Sequence, residues 1–180
     1  MKKHIERRLA YLYSGELASV ILFLPVSGLI NMAYPHLKLY ALFSFWTSFI
    51  LLEVLLIQGT LYWYSKLKRL RKEYTTVTPA NLVRQLARLK KLNVILIIIC
   101  LTAFIYDYFS WNPNWPNGGL LVSVFIFVFA VLEYINYFHT QLSYDNAADL
   151  RYLFQRKVLK PACIKRDINR LHNNKNKNLA

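Results

Sequence analysis

The sequence predicts an all-α integral membrane protein. The expected architecture is a four-helix transmembrane bundle built from two tandem, parallel helical hairpins, with amphipathic helices on the cytoplasmic side. Three observations predict it. Of 180 residues, 56% are hydrophobic and only 18% are charged, a balance outside the usual soluble range. The apolar residues cluster in four runs that approach or exceed the ~20 residues needed to span a bilayer as a helix. These runs are apolar all round and do not alternate, which excludes soluble core helices and membrane β-strands. Finally, lysine and arginine are segregated along the chain. The whole of 1–180 reads as a single membrane domain.

The first span is expected at about 12–34. The basic start MKKHIERR resembles a signal-peptide n-region, but the apolar run is too long and no A-x-A-like site follows, so an uncleaved helix is expected. Pro25 should kink it, and Gly28 should allow close packing. Glu16 sits near its inner end, where Arg7, Arg8 or a lysine of the middle loop is an available partner. The second span is expected at about 39–64.

Thr78-Pro79-Ala80-Asn81 reads as a helix start, with Thr78 as N-cap and Pro79 at the first position. Leu82, Leu86 and Leu89 form a stripe with Arg84, Arg88, Lys90 and Lys91 beside it. A basic amphipathic helix in the headgroup plane is expected, before the chain turns into a third span at about 92–111. The outer loop SWNPNWPNGG is rich in turn residues, and a fourth span follows at about 119–141. Residues 142–171 read as a basic cytoplasmic helical tail: Asp145 as a cap, Leu150, Leu153, Phe154 and Val158 as an apolar stripe, then a second short helix after Pro161. Residues 172–180, HNNKNKNLA, read as disordered.

Charge sets the topology. Of 23 lysines and arginines, 22 fall on one side of the four-span layout, and Lys38 alone lies in a short opposite loop. The positive-inside rule then makes both termini and the middle loop cytoplasmic. The net charge of +14 is accounted for by orientation and by attraction to anionic headgroups, with Arg84, Arg88, Lys90, Lys91 and Arg151 as contacts; no nucleic-acid partner is implied. Tyr34, Tyr40, Trp111 and Trp115 suit an outer aromatic belt, and Tyr11, Tyr13, Tyr62, Trp63, Tyr64, Tyr137 and Tyr144 an inner one.

The second and fourth spans align at an offset of 80 residues, pairing Phe45/Phe125, Phe49/Phe129, Leu52/Leu132, Glu53/Glu133, Thr60/Thr140, Tyr64/Tyr144 and Arg71/Arg151. A two-helix repeat keeps its orientation, so the hairpins would be related about an axis along the membrane normal. Glu53 and Glu133 would then lie at equal depth. An ionisable group inside a bilayer is costly and marks a candidate functional site. Glu133, Asn136, Tyr137 and Thr140 share one helical stripe, and Glu53, Thr60 and Tyr64 another; both stripes should face the bundle interior. Their carboxyls fit structural hydrogen bonding, a cation or proton route, or a lipid or hard-cation site. His139 falls on the opposite face from Glu133 and is a poor co-ligand. Asp107 and Asn31, near the outer ends of their spans, should reach interfacial water.

Nucleotide-binding, zinc-protease, nucleophile-elbow and haem-attachment motifs do not occur, and no enzyme activity, cofactor or metal is implied. Cys100 and Cys163 are too differently placed to suggest a disulfide. The runs LEYINYFHTQLSYDN (Leu132–Asn146) and QGTLYWYSKLKRL (Gln58–Leu70) resemble uncharacterised small bacterial four-helix membrane proteins, some loosely labelled general stress protein. The resemblance implies a bacterial inner membrane and no particular activity. The expected function is therefore binding of lipid, a protein partner or a second copy. The alternative is a small ion or proton transporter or channel using Glu53 and Glu133.

Overall fold

The computed structural model describes residues 2–112, 115–142 and 159–177. These form helices α1 (Lys2–Ala33), α2 (Phe43–Glu73), α3 (Ala80–Ser110), α4 (Asn117–Phe138) and α5 (Cys163–Lys177). The first four are long and apolar enough to cross a membrane. At 1.5 Å per residue, the 31 residues of α2 or α3 reach well beyond a ~30 Å hydrocarbon layer. The excess of α1, α2 and α3 lies at one end, with Lys2–Arg8, Lys66–Lys72 and Arg84–Lys91. That end, which also holds α5, is called the basic end below.

α2 is the hub. Over its apolar window 56% of residues are buried, against 6% for α1 and 22% for α3 and for α4. α1, α3 and α4 each pack along α2, but α3 and α4 pack only weakly on each other. α1 and α2 are thus a closely packed pair, whereas α3 and α4 are splayed over α2. Leu51, Leu52, Leu55, Leu56 and Tyr62 of α2 form the main core with Ala130, Tyr134, Tyr137 and Phe138 of α4, and Cys100 of α3 joins them.

Polar contacts fix the hub at its start and at its middle. At the short-loop end, α2 begins after a 3-10 turn at Leu39–Ala41, four residues later than the apolar run suggests. Its N-cap residue, Leu42, offers no side-chain acceptor. Asp107 of α3 supplies one. Its carboxylate accepts from the backbone N–H of Phe43 (3.2 Å) and Ser44 (2.7 Å) and is fully buried. It caps α2 across the helix interface instead of reaching interfacial water. Near the middle of both helices, Gln58 and Asn93 exchange side-chain hydrogen bonds between α2 and α3.

Several expectations at the basic end are corrected. Thr78 does not cap α3; its hydroxyl donates to Asp167 of α5 at 2.6 Å, and the helix starts at Ala80 behind Pro79. The segment carrying Leu82, Leu86 and Leu89 does not bend into a surface helix. It is the first part of a continuous α3, because the stripe has a protein partner: it packs with Ile164 and Ile168 of α5. α5 runs through residues 172–177, which the sequence reading left disordered. Tyr62 and Tyr137 are buried in the core instead of standing in a belt. The features expected at Tyr144, Asp145, Leu150, Arg151, Leu153, Phe154 and Val158 lie outside the described residues.

Candidate functional site

α1 and α4 both lie against α2 and scarcely touch each other. The space between them is a groove floored by α2, with a cavity of about 620 Å³ at its basic half. One face of α1 lines it through Arg8, Leu12, Gly15, Glu16, Ser19 and Phe23, spaced at helical intervals. α2 contributes Leu56, Trp63 and Lys66, and α4 contributes Phe129, Glu133, Asn136 and Tyr137. Gly15 and Phe129 line the cavity yet are exposed, so it opens sideways between two helices as well as toward the basic end.

Gly59 allows the floor to form. A Cβ there would overlap both the Glu16 carboxyl and the Tyr137 hydroxyl, so the missing side chain is what lets α1 and α4 bring these groups over α2. Glu16 Oε1 accepts a hydrogen bond from the Trp63 indole at 2.8 Å. The Tyr137 hydroxyl and the Glu16 carboxyl meet over Gly59, and Glu133, one turn earlier on α4, lines the same cavity. No well-aligned hydrogen bond reaches Glu16 Oε2, which is buried without a partner among the described residues. Asn136 donates to Glu133 Oε2 at 3.4 Å and accepts from the backbone N–H of Leu142 at 2.9 Å. Glu16 and Glu133 line the same cavity from α1 and α4.

Of the residues expected from sequence, Glu133, Asn136 and Tyr137 come together here. Glu53 and Thr60 do not line the cavity. They lie on a neighbouring stripe of α2, where Glu53 Oε1 and Thr60 Oγ1 are buried without partners among the described residues. Thr140 falls beyond the end of α4, in a bridge with Pro161. Gly119 abuts Leu37 and Leu42, and Tyr137 abuts Gly59, so Glu53 and Glu133 are within about one helical turn in depth. They differ in facing, and the acidic neighbour of Glu133 is Glu16. The sequence reading paired Glu16 with Arg7, Arg8 or a lysine of the middle loop. The missed signal was Gly59 one turn before Trp63, a small residue opposite two candidate polar groups.

The wall at the basic end is formed by the returning chain. Gln141 donates its backbone N–H to Lys160 (2.8 Å), and Ala162 donates to His139 (3.3 Å). This pairing sets Lys160, Cys163, Ile164 and Arg166 along the cavity. Asp167 holds α5 in place. It accepts from Tyr62 (2.9 Å) and Thr78 (2.6 Å) and pairs with Lys66 and Arg170, each at 3.3 Å. Burial pushes its carboxyl up, but Thr78, Lys66, Tyr62 and Arg170 together outweigh that and hold it below the usual aspartate range. On α3, Arg84, Arg88 and Lys91 are exposed and Lys90 is half-buried, away from the cavity.

Fold and groove together define an all-helical, multi-pass membrane protein with an acidic patch buried between its helices. The chain matches no family model, no curated protein and no solved structure.

Proposed function

We propose that this chain is a non-enzymatic, polytopic protein of the bacterial cytoplasmic membrane that acts by binding lipid in the groove between α1 and α4. The observation that carries the reading is the groove's sideways opening: a cavity with apolar walls and a polar floor, reachable from the bilayer. A cavity of about 620 Å³ falls within the ~300–1,000 Å³ typical of small-molecule sites. The basic end faces the cytoplasm by the positive-inside rule, with both termini there, and the two hairpins descend from one tandem unit. Arg84, Arg88, Lys91 and the half-buried Lys90 support the same orientation by meeting anionic headgroups; Arg151 belongs to this set by sequence. The transport reading, with Glu53 and Glu133 as a pair, has less support because Glu53 stands outside the cavity.

Purification in mild detergent followed by mass spectrometry of the intact protein tests the proposal. Retained lipid is expected at a stoichiometry near one. Bulking the groove with Gly15→Phe should expel it. A protein that is repeatedly lipid-free, or retention indifferent to that substitution, would refute it.

A further inference from the structure

α5 differs from the four spans in what holds it. Its 15 residues, CIKRDINRLHNNKNK, are too few and too polar to cross a bilayer. A helix of about this length is marginal in water without tertiary contacts. Its position therefore depends on docking. The first turn of α5 walls the groove: Cys163, Ile164 and Arg166 line the cavity at its basic end. The second turn grips the spans. Ile168 packs with Ile164 against the stripe of Leu82, Leu86 and Leu89 on α3, and Asp167 is buried beside it.

The polar part of that grip converges on one atom. Asp167 Oδ2 accepts from the Tyr62 hydroxyl of α2 at 2.9 Å and from the Thr78 hydroxyl, just ahead of α3, at 2.6 Å. Lys66 Nζ of α2 stands 3.3 Å from the same oxygen. The other oxygen pairs with Arg170 of α5 itself. Tyr62 and Lys66 also line the cavity, so the groups that hold α5 belong to the groove that α5 walls. The spans do not share this dependence on one side chain, because the apolar core along α2 joins them. Local opening draws on the least firmly held elements, and ligand entry commonly uses such elements.

We propose that α5 is a latched lid on the groove. Docked through Asp167, it narrows the mouth that faces water. Released, it opens the cavity to the aqueous phase, while the sideways opening between α1 and α4 is unchanged. The lid concerns how the groove is reached from water, and it holds whether the occupant is a lipid or another molecule.

Access from water reads the lid directly. In the full-length chain carrying Cys100→Ser and Cys163→Ser, Ser19→Cys places a single thiol in the cavity. The protein is held in lipid nanodiscs and exposed to a membrane-impermeant maleimide. Hydrogen exchange across Ile164–Leu171 reports release of α5 in the same samples. Labelling should be slow in this chain and at least about tenfold faster when Asp167→Ala is added, since hydrogen bonds to a charged group are lost. Asp167→Asn keeps an acceptor but no charge for Lys66 and should fall between, with exchange ranked in the same order. Equal labelling in all three chains would overturn the lid, as would slow labelling in a variant whose exchange shows α5 released. Exchange left unchanged by Asp167→Ala would overturn the latch. Tyr62→Phe removes only a hydroxyl and gives the same comparison, with a smaller acceleration, if Asp167→Ala fails to fold.

Discussion

Gln58 and Asn93 face each other between α2 and α3 and exchange two hydrogen bonds, each 2.9 Å long. Both residues are buried, Asn93 completely. Each amide gives one N–H and its carbonyl oxygen to the other, so the two side chains form a closed reciprocal pair between the helices. Within a bilayer such a pair specifies register, because sliding either helix leaves both amides unpaired. Gln58→Leu or Asn93→Leu alone should therefore destabilise the protein by about 1–2 kcal/mol. The double leucine variant should recover much of that loss, since apolar replacement of both partners leaves no orphan. Denaturant titration in detergent micelles measures it, and strictly additive losses would contradict the pairing.

Asp107 caps α2 from outside that helix. Asp107→Ala should cost about 1–2 kcal/mol, the range for losing an N-cap acceptor. Asp107→Asn should lie between, because one carboxylate oxygen bonds Phe43 and the other Ser44, and an amide keeps only one acceptor. Hydrogen exchange at those two amides should quicken in both variants while exchange in α4 stays unchanged.

Much of this fold was legible in the sequence, and the limits have a physical pattern. Length and apolarity gave four spans, since any chain in a bilayer must satisfy that constraint. The stripe Glu133, Asn136, Tyr137 and Thr140 was read from side chains three and four apart sharing a face; the first three line the cavity, whereas Thr140 lies beyond the end of α4. Which helix packs on which is not a property of one helix. The offset of 80 residues placed Glu53 and Glu133 at similar depth but could not tell that one faces the groove and the other a flank. Polar groups that find partners far along the chain were assigned other roles: Asp107 to interfacial water, Thr78 to a helix cap and Glu16 to a basic partner. Asp107 meets residues 43 and 44, Thr78 meets Asp167, and Glu16 meets Trp63. Each looked sufficient near its own span end, and only tertiary packing shows what it serves.

Docking of α5 should depend on pH through Asp167. Its carboxyl is held below the usual aspartate range in the folded chain. The unfolded or undocked group has an ordinary pKa near ~3.9. The contribution is therefore complete above that value and is lost as pH falls through the lower, docked pKa. Hydrogen exchange across Ile164–Leu171 should remain slow from neutral pH to about pH 4 and quicken in stronger acid. Asp167→Asn should weaken docking at neutral pH and flatten this acid dependence. An unchanged acid response in that variant would assign the transition to another group.

Gly59 should be sensitive in a specific way. A methyl there overlaps the ends of the Glu16 and Tyr137 side chains, not backbone. Those ends can move, so Gly59→Ala should fold, at a cost of about 1–3 kcal/mol for local overpacking. The Glu16–Trp63 hydrogen bond should be lost. With Trp46, Trp111 and Trp115 replaced by phenylalanine, the emission of Trp63 reports that loss directly. Unchanged emission would mean the floor tolerates a side chain and is looser than its geometry implies.

The two membrane-embedded glutamates that align in sequence should behave differently. Glu133 shares the cavity with Glu16, Asn136 and Tyr137, whereas Glu53 is half-buried on a flank of α2 with Oε1 unpartnered among the described residues. Removing a carboxyl that lacks partners takes away a desolvation cost without breaking a hydrogen bond. Glu53→Leu should accordingly leave lipid retention intact and hold or raise thermal stability. Glu133→Leu should lower retention, since it removes one of the two acidic groups in the groove and strands the Asn136 amide. Parallel thermal melts and lipid mass spectrometry on both variants separate the cases. If both substitutions reduced retention equally, the two glutamates would act as a pair, and the transport reading would regain its footing.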